Sequence, residues 1–345
     1  MSRLDALRAR LEEPLLITNL VNIEYLTGFE ASNAALFVDP KGGSTLYTDF
    51  RYIETAQSLP GVEAVLAKRT LMRDLAERLS GRVAFEADVL PYAQYEVLGA
   101  NGLELVPTRG SVEALRAIKE DDEVERIRRA ARAADFAYQA LLAEAWVGRS
   151  ERELAWRLLQ LMHANGVDRL AFDSIVVGGV NGSRPHGTPG DDTIPERALV
   201  TVDWGARLDG YCSDCTRTVA TGALSKELRR MFDVCLEAQL AAIEGIRPGM
   251  TGVEADALAR DVIEAAGYGE NFGHGLGHGL GVDVHEAPRL SRESPDTLEV
   301  GNVFTVEPGI YVPGVGGVRI EDLVVLRESG VEILNTLPKG LVTVG

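Results

Sequence analysis

The chain lacks the apolar segments that direct a protein into or across a membrane. Its 345 residues contain no run of about 18 apolar residues, the length that a membrane-spanning helix requires. The N-terminal segment MSRLDALRARLEEP also lacks the apolar centre of a signal peptide. We therefore expect a cytoplasmic protein with no membrane partner.

Positive charge is scarce as well. The sequence has 35 Lys and Arg against 52 Asp and Glu, a net charge of -17, and its basic residues form no cluster. Proteins that bind nucleic acid or an anionic membrane surface neutralise phosphates with basic side chains. The composition therefore argues against both partners. The acidity is explained either by solubility or by a site that holds cations.

Cysteine is rare, and several familiar site motifs are missing. Three cysteines in such a chain indicate reduced thiols rather than a disulfide framework. Cys212 and Cys215 form one CxxC without a second, and on a strand their side chains would point to opposite faces, so we interpret them as unrelated strand cysteines. HExxH and GxGxxG are both absent, which removes the main evidence for a zinc protease of that type or a dinucleotide fold.

Length and hydrophobic pattern predict two domains. From Leu15 to about Val106, short apolar runs alternate with helical patterns, which is typical of an α/β layer with a buried sheet. After a junction at 107–110, apolar residues spaced 3-4-3-4-3 from Val124 to Leu141 predict an amphipathic helix. We place the domains at 1–115 and 116–345.

The second domain is predicted to be α+β, with several helices covering a mostly antiparallel sheet. Ser150 and Glu153 have the spacing of a capping box at the start of one helix. Two more helical patterns include Leu228 to Ala242 and the segment GMTGVEADALARDVIEAAG. The strand-like runs are SIVVGG, ALVTVDWG, RTVAT, NVFTVEPGIYV and VRIEDLVVL.

Histidine is scarce but concentrated in one segment. Three of the five histidines, His274, His278 and His285, lie within FGHGLGHGLGVDVHEAP at 272–288. Five alternating glycines there would each cost a helix roughly 1 kcal/mol relative to Ala. An extended backbone that other groups approach closely is one interpretation, and a mobile surface loop is the alternative.

Four acidic residues stand next to apolar strand-like runs. Asp203 and Asp214 flank a predicted hairpin whose turn lies near 207–210, with Asp214 on the returning strand. Glu307 follows NVFTV, and Glu321 is predicted inside a buried strand, where it would be costly unless paired or bound to a metal. Either aspartate alone is equally well explained as a strand-end or turn residue. Together with a histidine, the four provide donors for two divalent ions about 3.5–4 Å apart.

Four segments resemble the pita-bread metallopeptidases of the methionine aminopeptidase and creatinase superfamily. They are DWGARLDGYCSDCTRT, FGHGLGHGLGVDVHEAPRLS, FTVEPGIYVPG and GGVRIEDLVVL. The two aspartates are 11 residues apart and the two glutamates 14 apart, in the family's order. NIEYLTGF, LYTDFRY and LRAIKEDDEVERIRRAA extend the resemblance to a smaller creatinase-like N-terminal domain, so the chain is most similar to the Xaa-Pro aminopeptidase and prolidase branch.

The resemblance implies a set of metal ligands. Asp203 would bind one ion, Asp214 and Glu321 would bridge both ions, and His278 and Glu307 would complete the second. Manganese is the expected metal, because the donors are mostly hard oxygens, with cobalt or zinc as alternatives.

The resemblance also implies residues that act on the substrate. Glu307 would shuttle a proton, His285 would stabilise the oxyanion, and His274 would contact the substrate. His186, in NGSRPHGTPG, would contact the substrate from a loop, and Arg319 would steady the carboxylates. The alternatives are a turn histidine for His186 and a surface charge for Arg319. His163 is predicted to be only structural.

The function implied is hydrolysis of the bond before proline in Xaa-Pro peptides by a homodimeric metallo-exopeptidase, either an aminopeptidase or a dipeptidase. Two alternatives stay open at this point. One is the same site with a different peptide register, including release at the C-terminal end. The other is a non-catalytic binding module on the same fold, which the intact ligand set disfavours.

Overall fold

A computed structural model describes residues 2–68 and 70–345. The chain divides into two units, Met1–Arg116 and Ala117–Gly345. Within the described residues, no helix combines the length and apolarity needed to cross a membrane.

The first unit is built on one mixed sheet, ordered β4-β3-β2-β1-β5-β6. Its strands are β1 (Leu15–Ile17), β2 (Ala34–Val38), β3 (Ser44–Thr48), β4 (Glu63–Leu66), β5 (Arg82–Glu86) and β6 (Glu104–Thr108). Its helices are α1 (Arg3–Arg8), α2 (Leu20–Thr27), α3 (Ile53–Gln57), α4 (Leu71–Arg78), α5 (Tyr92–Gly99) and α6 (Glu113–Arg116). The central strand β1 is buried throughout, which confirms the predicted α/β layer with a buried sheet.

The helices of the second unit confirm the sequence patterns. They are α7 (Asp121–Leu142), α8 (Glu151–Ala164), α9 (Lys226–Gly245) and α10 (Gly252–Ala265), with short 3₁₀ turns at Gly179–Ser183 and Gly269–Asn271. The predicted apolar positions of α7 are buried. The capping box of α8 is formed, since Glu153 N donates to Ser150 Oγ and Ser150 N donates to the Glu153 carboxylate.

The strands of the second unit form small, antiparallel sheets. They are β7 (Arg169–Leu170), β8 (Ile175–Gly178), β9 (Leu199–Trp204), β10 (Ala206–Leu208), β11 (Tyr211–Cys212), β12 (Cys215–Ala220), β13 (Gly277–Gly279), β14 (Glu286–Leu290), β15 (Val303–Val306), β16 (Gly309–Val312), β17 (Gly316–Arg319), β18 (Asp322–Arg327) and β19 (Gly330–Ile333). The sheets are ordered β12-β9-β8, β14-β13-β15-β18-β19, β16-β17 and β11-β10-β7. The predicted α+β architecture is thereby confirmed.

Two apolar clusters hold the helices against these sheets. One lies under α7 and α8, where the buried Tyr138 and Trp204 rings stack with centroids 4.2 Å apart. The other joins α9 and α10 to β15 and β18. Burial of this much apolar surface fixes the strands from which the candidate site residues extend.

Two strands predicted as continuous are each divided beside a glutamate. Glu307 and Pro308 separate β15 from β16, and Ile320 and Glu321 separate β17 from β18. Val306 pairs with Asp322 and Gly309 with Arg319, so the two breaks lie at the same level of the sheet. Proline cannot donate a ladder hydrogen bond, which favours the first break. The prediction that Glu321 lies inside a strand is therefore wrong, because the chain there changes its pairing partner from β16 to β15.

Candidate active site

The two aspartates come from the paired strands β9 and β12. Asp203 lies near the end of β9 and pairs with Thr216 of β12. The predicted hairpin turn is present at Asp209 and Gly210, both with positive φ. Asp214, however, lies between β11 and β12 rather than on a continuous returning strand. The interruption arises because the chain moves from pairing with β10 to pairing with β9.

His278 lies on β13, with neighbours close on both sides. A Cβ at Gly277 would lie 1.9 Å from Thr305 O, and one at Gly279 would lie 2.1 Å from Ala287 O. Only glycine tolerates such an approach. Residues 277–279 therefore form a strand of the sheet, as the extended interpretation predicted, while 280–285 connect β13 to β14 outside the strands.

Ligand-type atoms converge where these strands meet. One ligand atom each from Asp214, His278 and Glu321 lies within 4.8 Å of the others. His278 Nε2 lies 3.3 Å from Glu307 Oε1 and 3.7 Å from Asp214 Oδ2. Glu307 N donates to Leu276 O at 2.8 Å, and Glu321 N donates to Thr216 O at 3.1 Å. The strand breaks thus direct both glutamates to the same point as the histidine.

Arg319 is embedded in this cluster, with its side chain only 5% exposed. Its guanidinium donates to Asp203 Oδ2 at 2.6 Å, to Thr216 Oγ1 at 3.0 Å and to the Tyr311 hydroxyl at 2.8 Å. Its Nε also lies 3.9 Å from Glu307 Oε2. The alternative of a surface charge for Arg319 is wrong, because the chain folds this end of β17 inward.

Burial and like charge shift the acid-base equilibria of the cluster. Burial, followed by repulsion from neighbouring carboxylates, raises the pKa of Asp214 and of Glu321 well above the usual range. Burial also raises the pKa of Glu307, whereas it lowers the pKa of His278. Arg319 supplies one positive charge among four carboxyl groups, so the cluster favours an additional cation or protons.

Two buried carboxylate oxygens of the cluster are available to an additional cation. Among the described residues, neither Asp203 Oδ1 nor Glu321 Oε1 has a hydrogen-bond partner. A buried carboxylate oxygen without a partner is costly, and such oxygens are normally satisfied by a donor or a metal. Several carboxylates and one imidazole are also donors that divalent ions accept. The residues present therefore fit a metal site.

The remaining predicted residues occupy different positions around the cluster. His274 Nε2 lies 3.1 Å from the Tyr311 hydroxyl, and the His285 ring centroid lies 4.4 Å from that of His278. His186 is exposed on the loop after β8, and the preceding Pro185 carbonyl accepts from Arg319 Nη1 at 3.1 Å. The structure thus brings His274 and His285 to the cluster and ties the His186 loop to it through Arg319.

His163 and the two CxxC cysteines are not among the grouped ligand atoms of the cluster. His163 Nδ1 is 3.2 Å from Val167 O just after α8, in keeping with a structural role. The CxxC thiols are free and contact different carbonyls, Cys212 that of Val282 and Cys215 that of Glu321. This arrangement agrees with two unrelated strand cysteines.

Sequence reasoning missed Thr216 and Tyr311. Thr216 Oγ1 donates to Glu321 Oε2 at 2.7 Å while accepting from Arg319, so it links two site residues. Tyr311 contacts both Arg319 and His274, and burial raises its pKa to about 12. Nothing local in the sequence distinguishes Thr216 from an ordinary strand threonine or Tyr311 from a core tyrosine.

Comparison with known proteins agrees with this geometry. Residues 125–328 match metallopeptidase family M24, and residues 3–118 match the creatinase/prolidase N-terminal domain. The Xaa-Pro dipeptidase of Pyrococcus furiosus is 35% identical over 94% of both chains.

Two solved structures share the fold of the whole chain. The Xaa-Pro dipeptidase from Bacillus anthracis superposes with a TM-score of 0.95 at 38% identity, covering 99% of each chain. The X-Pro aminopeptidase from Thermotoga maritima gives a TM-score of 0.88 at 32% identity, covering 96% of this chain and 97% of its own. The resemblance seen in the sequence is confirmed, and the chain belongs to metallopeptidase family M24, with a creatinase-like N-terminal domain and a C-terminal pita-bread domain.

Proposed function

We propose that this protein is a metal-dependent exopeptidase that hydrolyses the peptide bond before proline in Xaa-Pro peptides. The observation that carries the proposal is the buried cluster of acids around His278, in which Asp203 Oδ1 and Glu321 Oε1 lack partners. Its support from relatives is that proteins similar over the whole chain are Xaa-Pro dipeptidases and an X-Pro aminopeptidase.

The cluster would hold two divalent ions per chain, with manganese preferred over cobalt or zinc. The residues that would hold them are Asp203, Asp214, His278, Glu307 and Glu321. The close approach of Asp214, His278 and Glu321 supports this set. When bound, such ions would act as Lewis acids toward the scissile carbonyl and lower the pKa of a water.

Glu307 is the residue we assign to proton transfer. Its Oε1 accepts from Thr305 Oγ1 at 3.0 Å, which orients the carboxylate for proton transfer. Glu307 would take a proton from the attacking water and deliver it to the imino nitrogen of proline as that nitrogen leaves. A Gln at this position keeps the shape but cannot carry the proton.

The histidines would form hydrogen bonds to the substrate rather than serve as acid-base groups. Burial lowers the pKa of His274, and partial loss of hydration followed by the neighbouring His278 lowers that of the more exposed His285, which favours their neutral forms. A neutral imidazole still donates one hydrogen bond, so His285 can stabilise the oxygen that gains charge at the scissile carbonyl. His274, held against Tyr311, and His186, on its loop, would contact the peptide, and Arg319 would fix the carboxylates around them.

Digestion of a peptide mixture tests which lengths of Xaa-Pro substrate the protein cleaves. Metal-stripped protein reloaded with manganese would be given equimolar Ala-Pro, Ala-Pro-Ala and a longer Ala-Pro peptide, followed by mass spectrometry. Loss of Ala-Pro alone indicates a dipeptidase, and release of the first residue from every peptide indicates an aminopeptidase. Metal binding without cleavage of any of them would contradict the proposed substrate and favour the non-catalytic binding module.

A further inference from the structure

The loop that carries His186 has both ends held by one buried side chain. We refer to residues 179–190, which follow β8, as the His186 loop. Glu151, the first residue of α8, is 2% exposed. Its Oε1 accepts from Gly178 N at 2.8 Å, and its Oε2 accepts from Asn181 Nδ2 at 2.7 Å and from Gly190 N at 3.0 Å. One carboxylate thereby joins the residue before the loop to the last residue within it.

The backbone of α8 reinforces the same connection. Glu151 N donates to Asp192 O at 3.1 Å, and Arg152 N donates to Gly190 O at 3.0 Å. Leu154, Leu158 and Met162 of this helix are fully buried in the apolar cluster. A helix packed in this way moves little, so Glu151 is held in place and its hydrogen bonds restrict the movement of the loop.

The far side of the loop faces the candidate metal site. Arg319 donates to Pro185 O, and Gly182 O lies so near β17 that a Cβ at Gly317 would be 1.9 Å from it. His186 itself is exposed. The loop is therefore suspended between the Glu151 carboxylate at its ends and Arg319 near its middle.

Helix capping does not account for Glu151. Ser150 and Glu153 already form the capping box of α8, and the Glu151 side chain points away from it to the loop amides. A carboxylate in the first turn of a helix is favoured by the helix dipole, which lowers the cost of its burial. Glu153 belongs to the same helical turn but is exposed, which makes it a matched control.

We propose that Glu151 is a positioning residue that clamps the His186 loop, so that His186 meets the peptide bound at the metal cluster. The inference rests on the proposed function for its link to substrate. Loss of the clamp leaves the metal ligands in place, because none of them contacts Glu151 through the hydrogen bonds described. Its effect therefore falls on substrate binding and on loop opening.

The test compares Glu151→Gln with Glu153→Gln in the full-length, manganese-loaded protein. Gln has the same shape, but its NH₂ would face an amide donor. We expect hydrogen exchange in 179–190 to quicken on the order of tenfold or more in Glu151→Gln, since a buried amide loses its acceptor. Exchange in 199–220 stays as in wild type. KM for the Xaa-Pro peptide rises about tenfold, with kcat changed less than about threefold. Glu153→Gln shows neither change.

Two results overturn the proposal: unchanged exchange in 179–190, or faster exchange with wild-type KM and kcat. If Glu151→Gln does not fold, Asn181→Ala removes one of the three bonds and is judged by the same two readouts, with smaller shifts expected. Failure of wild type to cleave any Xaa-Pro peptide would instead refute the proposed function, and the exchange comparison would then decide the clamp alone.

Discussion

At the scale of single residues, the candidate site is distinguished by four acidic side chains that only one basic side chain balances. Asp203 and Glu307 lie beside Arg319, and Asp214 and Glu321 lie beside His278. Among the described residues, one buried oxygen each of Asp203 and Glu321 lacks a partner. Fold stability alone does not explain why these acids are buried, because burying apolar side chains in their place would cost less free energy. Cation binding gives a reason for every member.

Replacement of His278 tests the nitrogen donor of this set. We expect His278→Ala to abolish Xaa-Pro cleavage and to reduce the bound metal by one ion per chain, with an unchanged circular dichroism spectrum. His163→Ala is the matched control, because that imidazole is exposed and bonds only near the end of α8, and it keeps activity and metal. Metal analysis and turnover of the two variants decide the point, and normal turnover by His278→Ala refutes the assignment.

The pH dependence of metal binding follows from the raised pKa values. Burial raises the pKa of Asp214, Glu307 and Glu321, so in the metal-free protein these groups keep their protons to a higher pH than exposed carboxyl groups do. Those protons stabilise the metal-free fold below the raised pKa, and this contribution is lost as pH rises through it. Metal ions must displace the same protons.

Manganese should therefore raise Tm more at pH 8 than at pH 6, and binding should release protons at pH 6. Differential scanning fluorimetry with and without manganese measures the first effect, and calorimetry in two buffers of different ionisation enthalpy measures the second. An equal or larger Tm gain at pH 6 contradicts carboxylates with raised pKa values.

At the scale of elements, the glycines of β13 allow the sheet to close around His278. We expect Gly277→Ala to lower Tm by about 6–12 °C, because its Cβ would meet the Thr305 carbonyl and force a shift costing about 3 kcal/mol. Activity should fall with it, since β13 carries His278, the proposed metal ligand. In Gly273→Ala the new Cβ meets nothing within 4 Å, so that variant should melt and turn over as wild type does. Similar melting of the two variants contradicts the close approach.

Sequence patterns predicted most elements because those elements depend on local signals. The capping box of α8 and the apolar stripe of α7 are formed as expected. The breaks beside Glu307 and Glu321 were missed, because apolar periodicity continues through them while the pairing partner changes. Thr216, Tyr311 and Glu151 were missed for a related reason: their partners lie far away in the sequence, at distances that no local pattern encodes.

At the scale of the whole molecule, both units of the chain are similar to Xaa-Pro dipeptidases over nearly their entire length. We propose that the protein is a homodimer, an expectation that rests on the resemblance to the prolidase branch. Analytical ultracentrifugation should show a species of twice the 37.3 kDa chain mass. A single 37 kDa species over the working concentration range contradicts the dimer and leaves the metal site unaffected.

A manganese titration shows whether the acids of the cluster hold two catalytic metal ions. Manganese would be added to metal-stripped protein while bound metal and hydrolysis of Ala-Pro-containing peptides are measured on the same samples. We expect negligible hydrolysis without metal and a rise that saturates at two bound ions per chain. Hydrolysis by the stripped protein, or hydrolysis that saturates while no metal is bound, would show that the cluster does not act through two metal ions.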